Sequence, residues 1–346
     1  MTSVASPPDI SVVVPTFNRA ESLSSALDSL ADQTLDPPSF QVVVVDDGSS
    51  DETPQLCRDR AANDASFTYR RMTHGGISLA KNVGLIAARA PIVLFLDDDD
   101  LFDRGLLESH LSAHAAHPEP NVAVLGYTSW APALTVTPLM EYVTQIGQLL
   151  FSYPGVSEDQ LLDFTHFWGG RSSCKRRFLL DHGIFDPRFT SIIEDIELGY
   201  RLSEHGLKVV FEPRAVSYAD RPYDFDQFCA RCRRRGRALA LFHHLHPDPT
   251  VADYTGAPTA GRRWEEVAPQ LAELTDRVRS LEGQLVAEPG KESELEDLYA
   301  LYGRVFAAFQ AMGIVEEQNQ LGETGGESQA TPTRPNSLLS TTSESK

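Results

Sequence analysis

Pro91-Ile92-Val93-Leu94-Phe95-Leu96-Asp97-Asp98-Asp99-Asp100 is the stretch on which the reading of this chain turns. An apolar run of strand length stops abruptly at four consecutive carboxylates. Like charges held this close repel one another, so the arrangement costs stability unless a cation or a ring of donors compensates it. One explanation is a hard divalent cation, Mg²⁺ or Mn²⁺, held by oxygen ligands. The other is a solvated acidic turn that caps a helix starting near Asp103, since Asp is favoured at helix N-termini.

Upstream of this stretch, strands and helices alternate. Residues 10–15 (ISVVVP) form a short β-branched run, and in residues 20–33 Leu23, Ala26, Leu27 and Leu30 recur at helical spacing. Residues 41–45 (QVVVV) are apolar at successive positions, as in a strand covered on both faces. They lead into Asp46-Asp47-Gly48-Ser49-Ser50-Asp51, a turn rich in capping groups, and a helix over 52–62. A strand over 67–71, a helix over 77–89 and the strand 91–96 complete the series. Such alternation predicts an α/β fold, a mostly parallel sheet with helices on both faces. Ligands of such sheets bind beyond the carboxyl ends of the strands, where Asp46-Asp47 and the run Asp97 to Asp100 both fall.

The composition sets limits on function. The chain has 346 residues, 41% of them hydrophobic, and a formal net charge of -19, which argues against general nucleic-acid binding. No uninterrupted apolar stretch approaches the ~18 to 20 residues that cross a bilayer. Residues 1–9 have no basic or apolar leader character and are expected to be flexible, so a cytoplasmic protein is expected, peripheral at the inner face of a membrane if it meets one. Four scattered cysteines are too few for a disulfide framework, and the lone CxxC of Cys229 and Cys232 in an arginine-rich helix reads as chance spacing.

Four segments in order resemble the signatures of family 2 glycosyltransferases: Val12-Val13-Val14-Pro15-Thr16-Phe17-Asn18-Arg19; Val45-Asp46-Asp47-Gly48-Ser49-Ser50-Asp51; Gly76-Ile77-Ser78-Leu79-Ala80-Lys81-Asn82-Val83-Gly84; and Phe95-Leu96-Asp97-Asp98-Asp99-Asp100. The likeness continues more loosely through Gly169-Gly170-Arg171, Gly183-Ile184-Phe185-Asp186 and Glu194-Asp195-Ile196-Glu197-Leu198, and so covers about residues 10–245. It implies the GT-A fold over 10–250, with a nucleotide-sugar half at 10–110 and an acceptor half at 111–250. It also implies an inverting enzyme that moves a sugar from a nucleotide-diphosphate sugar to an acceptor hydroxyl, whether on a glycan, a lipid-linked sugar or a small molecule.

Residue by residue, the resemblance makes the acidic run similar to a DxD motif. Asp97 and Asp98 would contact the donor, and Asp99 with Asp97 would hold Mn²⁺ or Mg²⁺, while Asp100 caps the next helix. Asp47, Pro15 and Thr16 would line the base pocket, with Asp46 supporting the turn. Lys81 stands where the family usually has arginine facing the donor; lysine keeps the charge and loses the bidentate fork. Asp195 resembles the catalytic aspartate, a base for the acceptor hydroxyl, with Glu194 as its support. An N-cap is the plainer role for Asp195. Trp168, Gly169 and Gly170 would approach the acceptor, Trp168 by stacking on a sugar face.

One departure concerns the metal. Many relatives carry a histidine after the strand that here reads Val209-Val210-Phe211-Glu212-Pro213, whereas this chain has Ala215-Val216-Ser217-Tyr218-Ala219-Asp220. Either Asp220 substitutes or water and diphosphate complete the shell. His243, His244 and His246 read as solvated histidines at a helix end.

Arg231, Arg233, Arg234, Arg235 and Arg237 could clamp phosphates or lipid headgroups, or pair with the acidic body of the protein. Acceptor choice is expected in 126–154, with Trp130, Tyr142 and Tyr153. Beyond Tyr254, apolar spacing predicts helices over 264–286 and 293–312, a hairpin within 260–318 broken at Glu288-Pro289-Gly290, which either folds back or pairs with a second copy. Residues 322–346 are expected to be disordered. Two alternatives stand beside the transferase: a nucleotidyltransferase or sugar-nucleotide pyrophosphorylase, disfavoured because Pro15-Thr16-Phe17-Asn18-Arg19 replaces a glycine-rich loop, and an inactive scaffold, disfavoured by Asp99 and Asp195.

Overall fold

The computed structural model describes residues 7–158, 160–287 and 292–325. Four strands, β1 (Ile10–Thr16), β2 (Phe40–Asp46), β3 (Phe67–Arg71) and β4 (Ile92–Phe95), lie parallel in the order β3-β2-β1-β4. Their side chains alternate between two cores, as the strand period requires. Val13, Val43, Val45 and Phe95 pack with Ala80 and Leu85 of α3 (Ile77–Ala87) on one face. On the other, Val12, Val14, Val42, Val44 and Leu94 cover Leu23, Leu27 and Leu30 of α1 (Ala20–Ala31). The connection from β2 to β3 is α2 (Thr53–Asn63).

Beyond β4 the sheet becomes mixed. The added strands are β5 (Asp100–Phe102), β6 (Val122–Trp130), β7 (Ser172–Lys175) and β8 (Lys208–Ala219), which complete an eight-stranded order β3-β2-β1-β4-β7-β6-β8-β5. β6 and β8 pair in parallel, while β4 with β7, β6 with β7 and β5 with β8 are antiparallel. The helices of this half are α4 (Leu106–Ala116), α5 (Pro138–Glu141) with a π-helical turn at Tyr142–Ile146, α6 (Arg176–His182) and α7 (Glu194–Ser203). Asp100 is therefore no helix cap. It opens a strand opposite Ala219, and the turn before α4 is held by the Asp103 carboxylate, which accepts from the Gly105 N–H at 2.9 Å.

The remaining helices are α8 (Phe225–Leu245), α9 (Pro249–Thr255), α10 (Ala260–Val267), α11 (Leu271–Ala287) and α12 (Glu292–Gly325). Leu298, Leu301, Tyr302, Val305 and Phe306 of α12 pack on Phe225 and Phe228 of α8 and on Leu274 and Val278 of α11. α8 and α12 meet backbone to backbone: a Cβ at Gly236 would stand 2.1 Å from the Gln310 carbonyl oxygen, and one at Gly313 would stand 2.0 Å from that of Arg233. Only hydrogen fits there.

Several expectations change here. α12 runs to Gly325, past the predicted end at 312 and through 322–325 of the predicted tail, and beyond 312 Ile314 packs with Leu239, Ala240 and Phe242 of α8. By length and composition α12 could cross a membrane, which the scan for uninterrupted apolar runs missed, yet half of that stretch is buried inside the protein. The break at 288–290 and the tail from 326 lie outside the described residues. Tyr142, expected near an acceptor, is a core residue against Tyr302 and Phe306. Tyr153 is bonded through its hydroxyl to the Thr128 N–H and the Gly126 carbonyl.

The arginine run is largely engaged within the protein. Arg233 and Arg237 of α8 grip Glu316 of α12, Arg235 bonds Gln310, and Arg231 lies over the Phe228 ring. Arg233 and Arg237 thus pair with an acidic residue of the protein itself, while Arg234 remains exposed. His246 is not solvated either: its Nε2 lies 2.9 Å from the buried Glu197 carboxylate.

Candidate active site

The carboxyl ends of β1, β2 and β4 bring the sequence motifs to one edge. Thr16 ends β1, and its carbonyl accepts from the Asp47 N–H at 2.9 Å. Asp47 is buried and holds the next loop: Oδ1 accepts from the Gly75 N–H at 2.7 Å, Oδ2 from the Gly76 N–H at 2.9 Å, and His74 Nδ1 lies 2.9 Å from Oδ2. Pro15 and Thr16 are buried beside it, and the exposed Phe17 ring stacks on His74 at 4.3 Å. Asp46 supports the turn, accepting from the Ser49 N–H and the Tyr69 hydroxyl.

The four aspartates, three of them in the turn between β4 and β5, divide by exposure. The side chains of Asp97 and Asp99 are 35% and 23% exposed, those of Asp98 and Asp100 only 7% and 5%. Arg19 Nη1 bridges the run, 2.7 Å from both Asp98 Oδ1 and Asp99 Oδ2, and Arg221 approaches Asp99 at 3.9 Å. Arg171, almost buried, lies 3.4 Å from Asp97 and 3.7 Å from Asp100. Burial pushes the Asp98 carboxyl up to about 6 despite Arg19. Burial and the neighbouring Asp97 charge raise Asp99, and burial raises Asp100 against the pull of Arg171. Asp100 Oδ2 is buried with no hydrogen-bond partner.

These residues fit a divalent cation in one specific way. Among the described residues no group of three or more His, Cys, Asp and Glu could hold a metal. Asp97 and Asp99, the two more exposed carboxylates of the run, could supply only the partial oxygen shell that Mg²⁺ and Mn²⁺ accept when substrate phosphates provide the rest. Their mutual repulsion is what a cation would relieve. Asp220 is exposed at the end of β8, its N–H directed to the Asp99 carbonyl at 3.3 Å, so the chain does carry a further carboxylate to this edge.

Across the cleft, α7 begins from a strained residue. Ile193, at its N-cap position, has φ 70°, a conformation costly for a β-branched side chain. Asp195 is therefore inside the helix and is not its cap. Its Oδ2 accepts from the Gly169 N–H at 2.7 Å, and its Oδ1 lies 2.8 Å from the Ile196 N–H. A Cβ on Gly170 would meet Asp97 Oδ2 at 2.1 Å, so any larger residue there would displace that carboxylate. Trp168, half-buried, donates from Nε1 to the Thr165 carbonyl and meets the Tyr153 ring edge-on at 5.3 Å.

Two expected positions differ from their reading. Lys81 was expected to face the donor or solvent, yet it is 1% exposed, with Nζ 2.7 Å from Glu194 Oε1. Glu194 is thereby buried beneath Asp195 and does not open toward an acceptor. Asn82 bonds the backbone N–H and carbonyl of Phe185. Arg19, Arg171 and Arg221 went unassigned in the sequence. The signal was available: four adjacent carboxylates demand nearby cations, and Arg19 and Arg171 lie within the quoted motifs.

Comparison with known proteins gives consistent matches. The model described as Glycosyl transferase family 2 matches residues 11–147, and Glycosyl transferase family group 2 matches 92–245. Validoxylamine A glucosyltransferase of Streptomyces hygroscopicus subsp. limoneus is 34% identical over 228 residues, covering 58% of this chain and 49% of the relative. Pre-mycofactocin glycosyltransferase of Mycobacterium tuberculosis is 28% identical over 247 residues, 70% of this chain and 49% of the relative. The chain thus spans about half the length of these relatives. Among solved structures, the mannosyltransferase PcManGT from Pyrobaculum calidifontis, in complex with GDP-Man and Mn²⁺, superposes with TM-score 0.59 at 21% identity over 91% of this chain and 88% of that one. S. aureus TarS 1-349 in complex with UDP gives TM-score 0.52 at 19% identity, over 91% and 92%. At these identities the likeness shows the GT-A fold.

Proposed function

The chain belongs to glycosyltransferase family 2, and on that premise we propose that it transfers a sugar from a nucleotide-diphosphate donor to an acceptor hydroxyl with inversion. The observation that carries this reading is the proximity of Asp97 and Asp195, which approach the adjacent glycines Gly170 and Gly169, with the partly exposed Asp99 in the same acidic run. The solved neighbours with GDP-Man and Mn²⁺ and with UDP support a nucleotide donor and a metal.

Asp47 with the turn at Pro15 and Thr16 would receive the base, its carboxylate already ordering the 74–76 loop around it. Asp97 and Asp99, with Asp98 behind them, would hold Mn²⁺ or Mg²⁺ against the diphosphate. Such an ion supplies neutralisation of the charge that develops on the leaving group. Arg19 and Arg221 stand close enough to Asp99 to add positive charge at the same place. Asp195 would take the acceptor hydroxyl's proton as that oxygen attacks from the face opposite the leaving group. The Gly169 N–H keeps one carboxylate oxygen aimed while the Ile196 N–H orients the other. Trp168 and Gly170 would border the acceptor.

A panel of nucleotide sugars, assayed for nucleoside diphosphate release and for product with and without Mn²⁺, tests the proposal. Asp99→Asn and Asp195→Asn should each lower turnover by about 10²–10⁴-fold with the fold retained. Undiminished transfer by both variants would remove these residues from the mechanism.

A further inference from the structure

We propose, on the reading of Asp195 as the base, that Lys81 is a positioning residue that holds this base through Glu194 and does not touch the donor. Lys81 lies on α3, in the donor-side half, and Glu194 opens α7 on the opposite side of the cleft. Their side chains are 2% and 5% exposed, and Nζ stands 2.7 Å from Oε1. The ammonium thus has no open path to a bound nucleotide.

The consequence for Asp195 follows from chain order. Ile193, Glu194 and Asp195 are consecutive, and Ile193 is held at φ 70°. Such backbone strain persists only where the surroundings over-determine it. The buried pair is the anchor immediately after the strained residue, so it fixes where α7 starts and where the Asp195 carboxylate points. A second contact closes the arrangement: a Cβ on Gly169 would meet Lys81 Nζ at 2.5 Å and Asp195 Cβ at 3.0 Å. Lys81 and Asp195 therefore pack on the same glycine, whose N–H donates to Asp195 Oδ2.

The charged and titratable groups that face Asp195 are Glu194 on its own helix, Lys81 from α3, Arg171 from the loop before β7 and Tyr254 from α9. Lys81 bonds Glu194 directly, so it cancels the adjacent carboxylate that would otherwise repel the ionised base.

Steady-state kinetics on three variants test this assignment: Lys81→Met, Glu194→Gln and the double variant Lys81→Met/Glu194→Met, which replaces a buried ion pair by apolar side chains. Lys81→Met should lower kcat by about 10–100-fold and change the donor KM by less than about threefold. In the double variant the melting temperature should return toward wild type while kcat stays low, since the anchor is still missing. If Lys81→Met does not fold, the double variant alone decides through its kcat. A donor KM raised tenfold or more at unchanged kcat would make Lys81 a donor contact and overturn the proposal. So would recovery of kcat together with melting temperature in the double variant, because the pair would then be a fold element only. Failure of the base reading itself shows separately, as an Asp195→Asn variant that retains transfer.

Discussion

The aspartate run Asp97 to Asp100 and the arginine run from Arg231 to Arg237 are both dense clusters of one charge, and the protein resolves them in opposite ways. The arginines lie on a helix surface, where side chains three and four apart can reach one partner: Arg233 and Arg237 share Glu316, whose carboxyl is held below its usual range by those bonds. The aspartates lie at the end of a buried strand and share the guanidiniums of Arg19 and Arg171, with Arg221 farther off, yet burial still raises Asp98, Asp99 and Asp100. Crowding alone marks neither as functional. What separates them is burial combined with a shortfall of countercharge, which leaves the acidic run ready for a cation that the arginine run does not require.

Three measurements would break or sharpen that contrast. The largest effect is expected from Arg171→Ala, which strands the buried Asp100 carboxyl without its cation and should cost about 3–5 kcal/mol in denaturant unfolding. A loss below about 1 kcal/mol would show that the acidic run needs no such partner. The next is pH. Asp98 has a folded pKa of about 6, above its ordinary value of 3.8, so the folded state retains the proton longer than the unfolded chain does. Its contribution is fully present below the unfolded pKa and is lost as pH rises through about 6. The stability advantage of wild type over Asp98→Asn, measured without nucleotide or divalent cation, should therefore change by on the order of 1–3 kcal/mol to the disfavour of wild type between pH 4 and pH 7. A profile unchanged in Asp98→Asn would remove burial of Asp98 as its cause. The smallest effect is expected at the surface cluster: Glu316→Ala should shift stability by no more than about 1 kcal/mol, and still less at high salt. A larger loss would mean that the α8–α12 contact depends on these ions more than on its apolar seam.

Legibility was high where structure is local. β1 to β4 and α1 to α3 follow from β-branched runs and helical spacing, each decided within a dozen residues. It dropped beyond residue 97. Asp100 is a strand residue because β8, more than a hundred positions later, pairs with it, and no nearby signal announces that partner. Tyr142 looked like a loop aromatic because its neighbours Tyr302 and Phe306 come from α12. Lys81 carried a motif that suggested a donor contact; its actual partner, Glu194, is 113 positions away.

By itself the sequence determined the alternating α/β scaffold, the sheet edge where Asp47 and the acidic run gather, and the candidate residues for the proposed chemistry, because all of these rest on local periodicity and side-chain type. Tertiary structure alone decided how those residues are divided: Asp97 and Asp99 to the open cleft, Asp98 and Asp100 to the interior, Lys81 to Glu194 and the arginine run to Glu316. The physical reason is that burial and countercharge depend on distance through space, and the groups that set them here lie tens to more than a hundred residues apart along the chain.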